Sequence, residues 1–457
     1  MPATSLVGLA AACDEIGVSS APGWGDLRAE IDPLNRRTEY LEYDAFGRAV
    51  QARGIDGVVV EQLYDHNSRV LAETIKGDAP ANDRIRLYEY NSTGKLTRVT
   101  QPDGVWTRMH YDTADRLTSV EDAAGNRINY VLDGAGNRLR EEVRDSGGVL
   151  RRALDRMFDT ASRMTRVTGA SGQATQLRYD AVGNLLETEN PAGTVSKSTY
   201  DGIGRPTKQI DDLGGINAEM RYEYAANGQV ERVVDPKGLA TTYAYDGFGQ
   251  LASQTSPDTG TTQFSYDRLG NPLTRTDARS VTAQYEHDAV GRTTAVRFVD
   301  PAADIQYVYD QPSTLCPAGE RAGVGRLSSM IDSSGRTDYC YSPVGDLVRR
   351  VQVVVGRALV LRYAYTPSGR LQSMTYPDGS LVDYGYDSLG QVSSVGVTPA
   401  GGNREVLLQG VQTLPFGPEQ TWTFGNGRRL DRSYDLDYRP VAISDGRDGL
   451  NVTFGFD

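Results

Sequence analysis

One interval constrains this chain more than any other feature: a Tyr-Asp pair, followed three residues on by glycine, keeps returning after 21 residues. The clearest copies are Tyr43-Asp44 with Gly47, Tyr179-Asp180 with Gly183, Tyr200-Asp201 with Gly204, Tyr245-Asp246 with Gly249, Tyr266-Asp267 with Gly270, and Tyr386-Asp387 with Gly390. YDTADRL, from Tyr111, belongs with them, and weaker copies begin at Tyr64, Tyr90, Leu132, Phe158, Tyr224, His287, Tyr341 and Tyr365. With Tyr309, Tyr434 and Phe456 there are 18 positions, and nine of the 17 intervals between them are 21 residues. A fixed interval of that length marks a repeat architecture in which each unit is one supersecondary element.

Each unit reads as two strands and two turns. Tyr243 and Tyr245 flank Ala244 in a period of two, the signature of a strand. Asp246 opens a turn, because a short carboxylate accepts backbone N–H groups two residues on. Gly249 stands where a left-handed residue is needed, and glycine carries no Cβ to obstruct it. A second turn recurs as Pro102-Asp-Gly104, Asp235-Pro-Lys-Gly238 and Pro377-Asp-Gly379. No segment keeps a helical period. The expected fold is therefore all-β, a β-spiral shell of consecutive two-strand units forming one continuous curved antiparallel sheet. Two strands for each Tyr-Asp position give about 36 strands and a ribbon on the order of 170 Å wide. Sheets twist, and open sheets rarely exceed about ten strands without curling. The ribbon should roll into a tube or spiral; one full circle, before any overlap of turns, has a diameter of roughly 55 Å, far too wide for side chains to fill. The sequence thus predicts a hollow object.

Composition agrees with such a wall and excludes several function classes. Tyrosines number 26 against 9 phenylalanines, which suits half-exposed sheet faces better than a thick dry core. The net charge of −12 offers nothing to nucleic acid or an anionic membrane surface. No stretch approaches the roughly 20 apolar residues of a membrane helix. Residues 6–12 are apolar and precede Cys13, but lack the basic start of an export signal. Cys13, Cys316 and Cys340 have no metal-ligand spacing, so no metal or cofactor is expected. Cys340 lies between Tyr339 and Tyr341 and faces the opposite side of its strand. Cys316 lies on an inserted stretch, PSTLCPAGERAG, that could fold across that side, which leaves both a disulfide and two free thiols open.

Candidate chemistry is thin. His66, His110 and His287 are scattered, and none is placed beside a nucleophile and an orienting acid as a catalytic triad requires. The many carboxylates occupy turn positions, where capping accounts for them without glycoside hydrolysis. No calcium-loop pattern appears. No catalytic residue is assigned, and the chain is read as no enzyme.

The Y-x-Y-D-x-x-G-R/N-L units and D-P-x-G turns resemble the YD repeats of the Rhs family, shared by bacterial Rhs proteins, the cocoon of insecticidal Tc toxins and animal teneurins. The stretch LPFGPEQTWTFGNGRRLDRSYDLDYRP (414–440) resembles a segment typical of bacterial Rhs proteins near the end of the shell. The resemblance covers about residues 22–457. It implies a spiral β shell enclosing a C-terminal domain, commonly a toxin, often released by self-cleavage at a D-P-x-G-L motif. Asp235-Pro-Lys-Gly-Leu239 has those letters but falls where repeat turns fall, so it is read as a turn.

The expected organisation is a non-repeat segment over 1–21, YD-repeat shell over 22–387, an irregular region with the PFGP and GNG stretches over 388–433, and a last repeat over 434–457. The chain stops inside that repeat, which predicts a fragment. The leading functional expectation is a non-enzymatic, secreted or cell-surface shell of a bacterial Rhs-type toxin, active in bacterial competition. Its partners would be the missing C-terminal toxin domain as cargo and components of a secretion system. Edge-to-edge self-association is expected of its terminal strands. The alternatives are an adhesion or carbohydrate-binding scaffold and an enzyme on a β-propeller. A propeller would need a period near 42, because inner and outer hairpins alternate in a blade.

Overall fold

The computed structural model describes residues 20–446 and 449–455, so Cys13 lies outside the described residues. Among the described residues thirty-eight strands, from β1 (Ala29–Ile31) to β38 (Asn451–Thr453), form one sheet in which every strand pairs antiparallel with its sequence neighbours. Among the described residues, helix is confined to three 3-10 turns, Pro80–Asn82, Pro301–Ala303 and Ala318–Glu320.

Both turns of a unit are built alike. At residues 246–250 the Asp246 amide donates to Gln250 O at 2.9 Å and the Gly249 amide to Asp246 O at 3.1 Å, with Gly249 at φ 80°. At residues 235–239 the Asp235 amide donates to Leu239 O and the Gly238 amide to Asp235 O, both at 2.9 Å, with Gly238 at φ 81°. This is a type I turn closed by a left-handed residue. Asp235-Pro-Lys-Gly-Leu239 is thus an ordinary hairpin turn. Gly47, Gly183, Gly204, Gly270 and Gly390 also take positive φ.

The two rims of the ribbon differ in one respect. Beside the Tyr-Asp turn the register shifts by a residue, between Ala244 and Tyr245 for example, whereas beside residues 235–239 it runs straight through. The same bulge recurs beside Tyr179, Tyr200, Tyr266 and Tyr386. A bulge bends its strand and increases the local twist. Repeated along the Tyr-Asp rim, and found beside only two turns of the other rim, at Val143/Arg144 and Val395/Gly396, it makes the ribbon curl.

The curl brings distant repeats together. The Tyr-Asp rim of the later repeats sits on the opposite rim of the earlier ones. Arg36 Nη1 meets Asp310 Oδ1 at 3.0 Å, Arg326 Nη2 meets Asp56 Oδ2 at 2.7 Å, and Arg370 Nε meets Asp103 Oδ2 at 2.7 Å. Arg84 pairs with Asp346, the Ala153 amide donates to Leu436 O at 3.0 Å, and Asp437 Oδ1 accepts the Ala170 amide at 2.9 Å. The hydrogen-bonded side chains of this seam are 262 to 274 residues apart in sequence. The turn after β7 (Leu96–Thr100) lies against the turn after β30 (Arg357–Tyr365), 23 strands further on. One circuit of that many strands has a diameter of about 35 Å. This is narrower than a single circle of the whole ribbon, because the ribbon overlaps itself instead of closing end to end.

The wall is one layer thick. The accessible surface is 26220 Å², against about 16,900 Å² for a compact chain of this mass. Among the described residues, buried apolar side chains are few and mostly small, Val143, Ala153, Ala283 and Ala295 among them. Water therefore reaches both faces. Strand ladders, cross-strand pairs such as Arg232–Glu223 at 2.7 Å, and contacts between turns hold the ribbon in place of a core.

Candidate functional site

The repeating motif builds a ladder along one rim. In its fullest form, Asp44 Oδ1 accepts the Phe46 and Arg48 amides at 2.9 and 3.0 Å, and Oδ2 takes Arg48 Nε at 2.6 Å. Arg48 then reaches into the next unit, where its Nη1 donates to Asp65 O at 2.7 Å and its guanidinium lies 4.8 Å from the Tyr64 ring centroid. Asp201 and Arg205 repeat the arrangement, with Arg205 4.4 Å from the Tyr224 centroid. At Asp180 and Asp267 an asparagine replaces the arginine and bonds the carboxylate at 2.8 and 2.9 Å. Asp246 and Asp387 hold their two turn amides, all at 2.9 Å.

Most motif tyrosines tie back to the preceding unit, whereas Tyr64 donates to Gln62 on its own strand. The tying hydroxyl donates to a backbone carbonyl just past the previous motif turn: Tyr179 to Met164 at 2.8 Å, Tyr200 to Leu185 at 2.7 Å, Tyr245 to Val230 at 2.9 Å, Tyr266 to Leu251 at 3.1 Å and Tyr386 to Leu371 at 2.5 Å. Tyr43 makes the same bond to Leu27 at 2.6 Å. Burial works to raise the Asp44 carboxyl, but the Arg48 guanidinium and the turn amides outweigh it and hold it below the ordinary 3.8. For Asp201 the Arg205 amide leads, and its carboxyl is likewise lowered.

The insertion after Tyr309 makes the densest spot in the wall. Its loop crosses the strand Gly335–Tyr341 and is fastened by a Cys316–Cys340 disulfide, Cα–Cα 5.5 Å, and by Glu320, which pairs with Arg349 through two bonds of 2.6 and 2.7 Å. Beneath lie Ser328, Ser329 and Asp338, all fully buried. Asp338 accepts from Ser329 Oγ at 2.6 Å and Arg336 Nε at 2.8 Å. Burial presses its carboxyl upward, and these donors outweigh it, so it stays lowered.

The Rhs-like stretch lies at the seam. Residues 414–418 form a turn on the motif rim, with Leu414 N donating to Pro418 O at 3.0 Å. Tyr438 takes the position that glycine fills in other motif turns, at φ 62°, and donates to Pro415 O at 2.6 Å. Gly417 leaves room for the Tyr438 ring, since a Cβ there would lie 2.5 Å from it. Burial pushes the Tyr438 hydroxyl up to about 12. The same turn supplies Leu436 and Asp437 to the first circuit of the wall, so this stretch clamps the overlap.

The histidines stand in separate repeats. His110 Nε2 lies 3.1 Å from Glu121 Oε2, a carboxylate shared with Arg127, and His287 occupies a motif tyrosine position opposite Thr293. Among the described residues no group of three or more His, Cys, Asp or Glu side chains is arranged to hold a metal ion, and no helix is long and apolar enough to cross a membrane.

A family model for the teneurin YD-shell matches residues 137–284, and one for the RHS repeat matches 111–150 and 359–404. Over residues 111–284 and 359–404 the chain is thus similar to RHS-repeat and teneurin YD-shell proteins. No curated protein matches its sequence. Among solved structures, the YD-repeat wall is similar to the TcdB2-TccC3 toxin complex, with TM-score 0.72 and 15% identity over 94% of this chain and 28% of that one. The same complex without its hypervariable C-terminal region gives 0.69 and 13% over 91% and 29%. The Photorhabdus luminescens Tc holotoxin pore gives 0.61 and 16% over 88% and 22%. At these identities the likeness is one of fold, and the chain spans less than a third of each of those chains. The arginine that links one YD unit to the next was visible as a residue type four places after the aspartate. Its reach into the following unit was not.

Proposed function

We propose that this chain is a section of a hollow, non-enzymatic wall that encloses a polypeptide cargo, an effector domain supplied by the C-terminal part of the same toxin. The observation that carries this reading is the one-layer ribbon that overlaps itself along the seam, wet on both faces. A wall of this kind acts by exclusion. Allowing about 10 Å for the wall itself, the lumen is about 25 Å across. A folded domain of about 100 residues has a radius of gyration near 13 Å and so overfills it. The cargo is therefore small or held incompletely folded. The Cys316–Cys340 bond supports a place in an oxidising, exported setting, and the Tc complexes of similar fold support a toxin context.

The test is to co-express the wall with its native downstream domain and to treat the product with protease. Encapsulation predicts that the domain survives as long as the wall does. Digestion of the domain as fast as in isolation, with the wall intact, would overturn the proposal and favour an adhesion scaffold.

A further inference from the structure

The seam engages only part of each rim. The Tyr-Asp rim is engaged from residue 310 onward, and the opposite rim only up to residue 173. Among the described residues, no hydrogen bond or ion pair joins the Tyr-Asp turns of residues 44–292, or the opposite turns of residues 190–428, to a distant repeat. Among the described residues these two stretches stay outside the seam. Each has the construction of a rim that is already docked elsewhere in the same molecule.

Both free stretches display apolar turn tips. On the Tyr-Asp rim, Val182, Ile203, Phe248 and Leu269 are 76 to 92% exposed, each at the residue before the turn glycine. On the opposite rim, Ile216, Val299 and Val355 are 84 to 99% exposed. Within the seam such tips are less exposed, Phe416 at 39% for example. Val344, at the place in its turn that Phe248 holds, is half-buried and lines a cleft of about 280 Å³ with Gly77, Asn82 and Arg84 of the earlier circuit. Ile55, on the opposite rim, reaches Gly325 so closely that a Cβ added there would sit 3.3 Å from Ile55 Cδ1. The polar part of the seam has a free counterpart as well. Asp378 holds the same place in its Pro-Asp-Gly turn as Asp103, which takes Arg370 across the seam, and Asp378 bonds only within its own turn, to Ser380.

We propose that the free Tyr-Asp rim of one copy docks on the free opposite rim of a second copy, continuing the seam from one molecule into the next. The occupant is a second copy because the surface that matches the free Tyr-Asp rim, a row of exposed apolar tips beside a Pro-Asp-Gly turn, is present on this same chain. The contact joins two different surfaces, so it is heterologous and does not close at two copies. It is independent of any cargo, and it differs from pairing between edge strands, which uses backbone groups at the ends of the ribbon.

Sedimentation velocity of the full chain across the micromolar range is the test, with two triple variants. One carries Ile203→Asp, Phe248→Asp and Leu269→Asp on the Tyr-Asp rim; the other carries Ile216→Asp, Val299→Asp and Val355→Asp on the opposite rim. All six positions are exposed, so circular dichroism and melting should match the unmodified chain. The unmodified chain is expected to form species that grow beyond dimers with concentration. Each variant alone is expected to stay monomeric, and an equimolar mixture to form a one-to-one dimer and stop, because the pair retains a single complementary interface. A monomeric unmodified chain would overturn the proposal. So would a variant that assembles alone, which would point to edge strands or to pairing of like rims.

Discussion

Replacing Asp44 separates the capping role of the motif carboxylate from its role as a counter-charge. The side chain is only 4% exposed, and its two oxygens divide the work: Oδ1 takes two turn amides and Oδ2 takes Arg48. Asp44→Ala strips both amides of an acceptor, at roughly 1 kcal/mol each, and deprives a part-buried guanidinium of its partner, at roughly 2 kcal/mol. The local loss is about 4 kcal/mol. Asp44→Asn keeps an oxygen for the amides and forfeits chiefly the arginine bond, so about 2 kcal/mol is expected. Repeat units open semi-independently, so the effect should be read locally. Hydrogen exchange by mass spectrometry on a peptide spanning residues 44–48 gives that local opening free energy. The alanine variant should lose clearly more protection than the asparagine variant, and the loss should extend to Tyr64, on which Arg48 lies. Equal losses in the two variants, or none in either, would refute the division of labour.

Acid should weaken the wall late. Asp44, Asp65, Asp288 and Asp435 are held below 3.8 when folded, so the unfolded chain binds more protons at low pH; their contribution is complete above the ordinary carboxylate range and is lost as pH falls through it and below. Urea midpoints should therefore be level from neutral pH to about 5 and fall below about 4; a decline starting near pH 6 would count against these carboxylates. Arg84→Asp should raise hydrogen exchange both at residues 77–84 and at 342–346, and adding Asp346→Arg should restore much of it, since the two are partners across 262 residues of sequence. Reducing Cys316–Cys340, which are 24 residues apart, should cost about 3.5 kcal/mol by loop entropy and should raise exchange mainly over residues 311–325; protection unchanged by reductant would show that Glu320–Arg349 suffices.

The repeat itself was legible because its signals are local. Tyr243 and Tyr245 alternate within one strand, and Asp246 and Gly249 shape one turn, so a short window carries the whole instruction. The strand count came close for the same reason. The path of the ribbon in space was not legible. Asp103 and Arg370 are ordinary turn residues, and nothing near either announces a partner 267 positions away. The width of roughly 55 Å holds only before turns overlap, and the extent of overlap is set by how far each bulge bends the sheet, which no local window shows. The Rhs-like stretch shows the same limit: its letters marked a resemblance, but that Gly417 makes room for Tyr438, and that Leu436 and Asp437 hold the earlier circuit, depends on contacts between separate turns. The cysteines fell between these cases. Strand alternation gave the side on which Cys340 faces, and only the path of the inserted loop brings Cys316 to it.

The central claim, a one-layer wall that overlaps itself, is tested most directly by distances between spin labels on Ser171, Ala302 and Leu436, with Cys13 replaced by serine and labelled protein diluted in unlabelled. Ser171 lies in the turn after β13 (Met164–Gly169), Ala302 after β25 (Thr293–Arg297), and Leu436 after β36 (Arg429–Tyr434), half a circuit and a full circuit further on. The account predicts about 35–40 Å from Ser171 to Ala302 and less than about 20 Å from Ser171 to Leu436. An open ribbon would instead place Ala302 about 60 Å and Leu436 about 110 Å away, and distances growing in that way with strand number would contradict it.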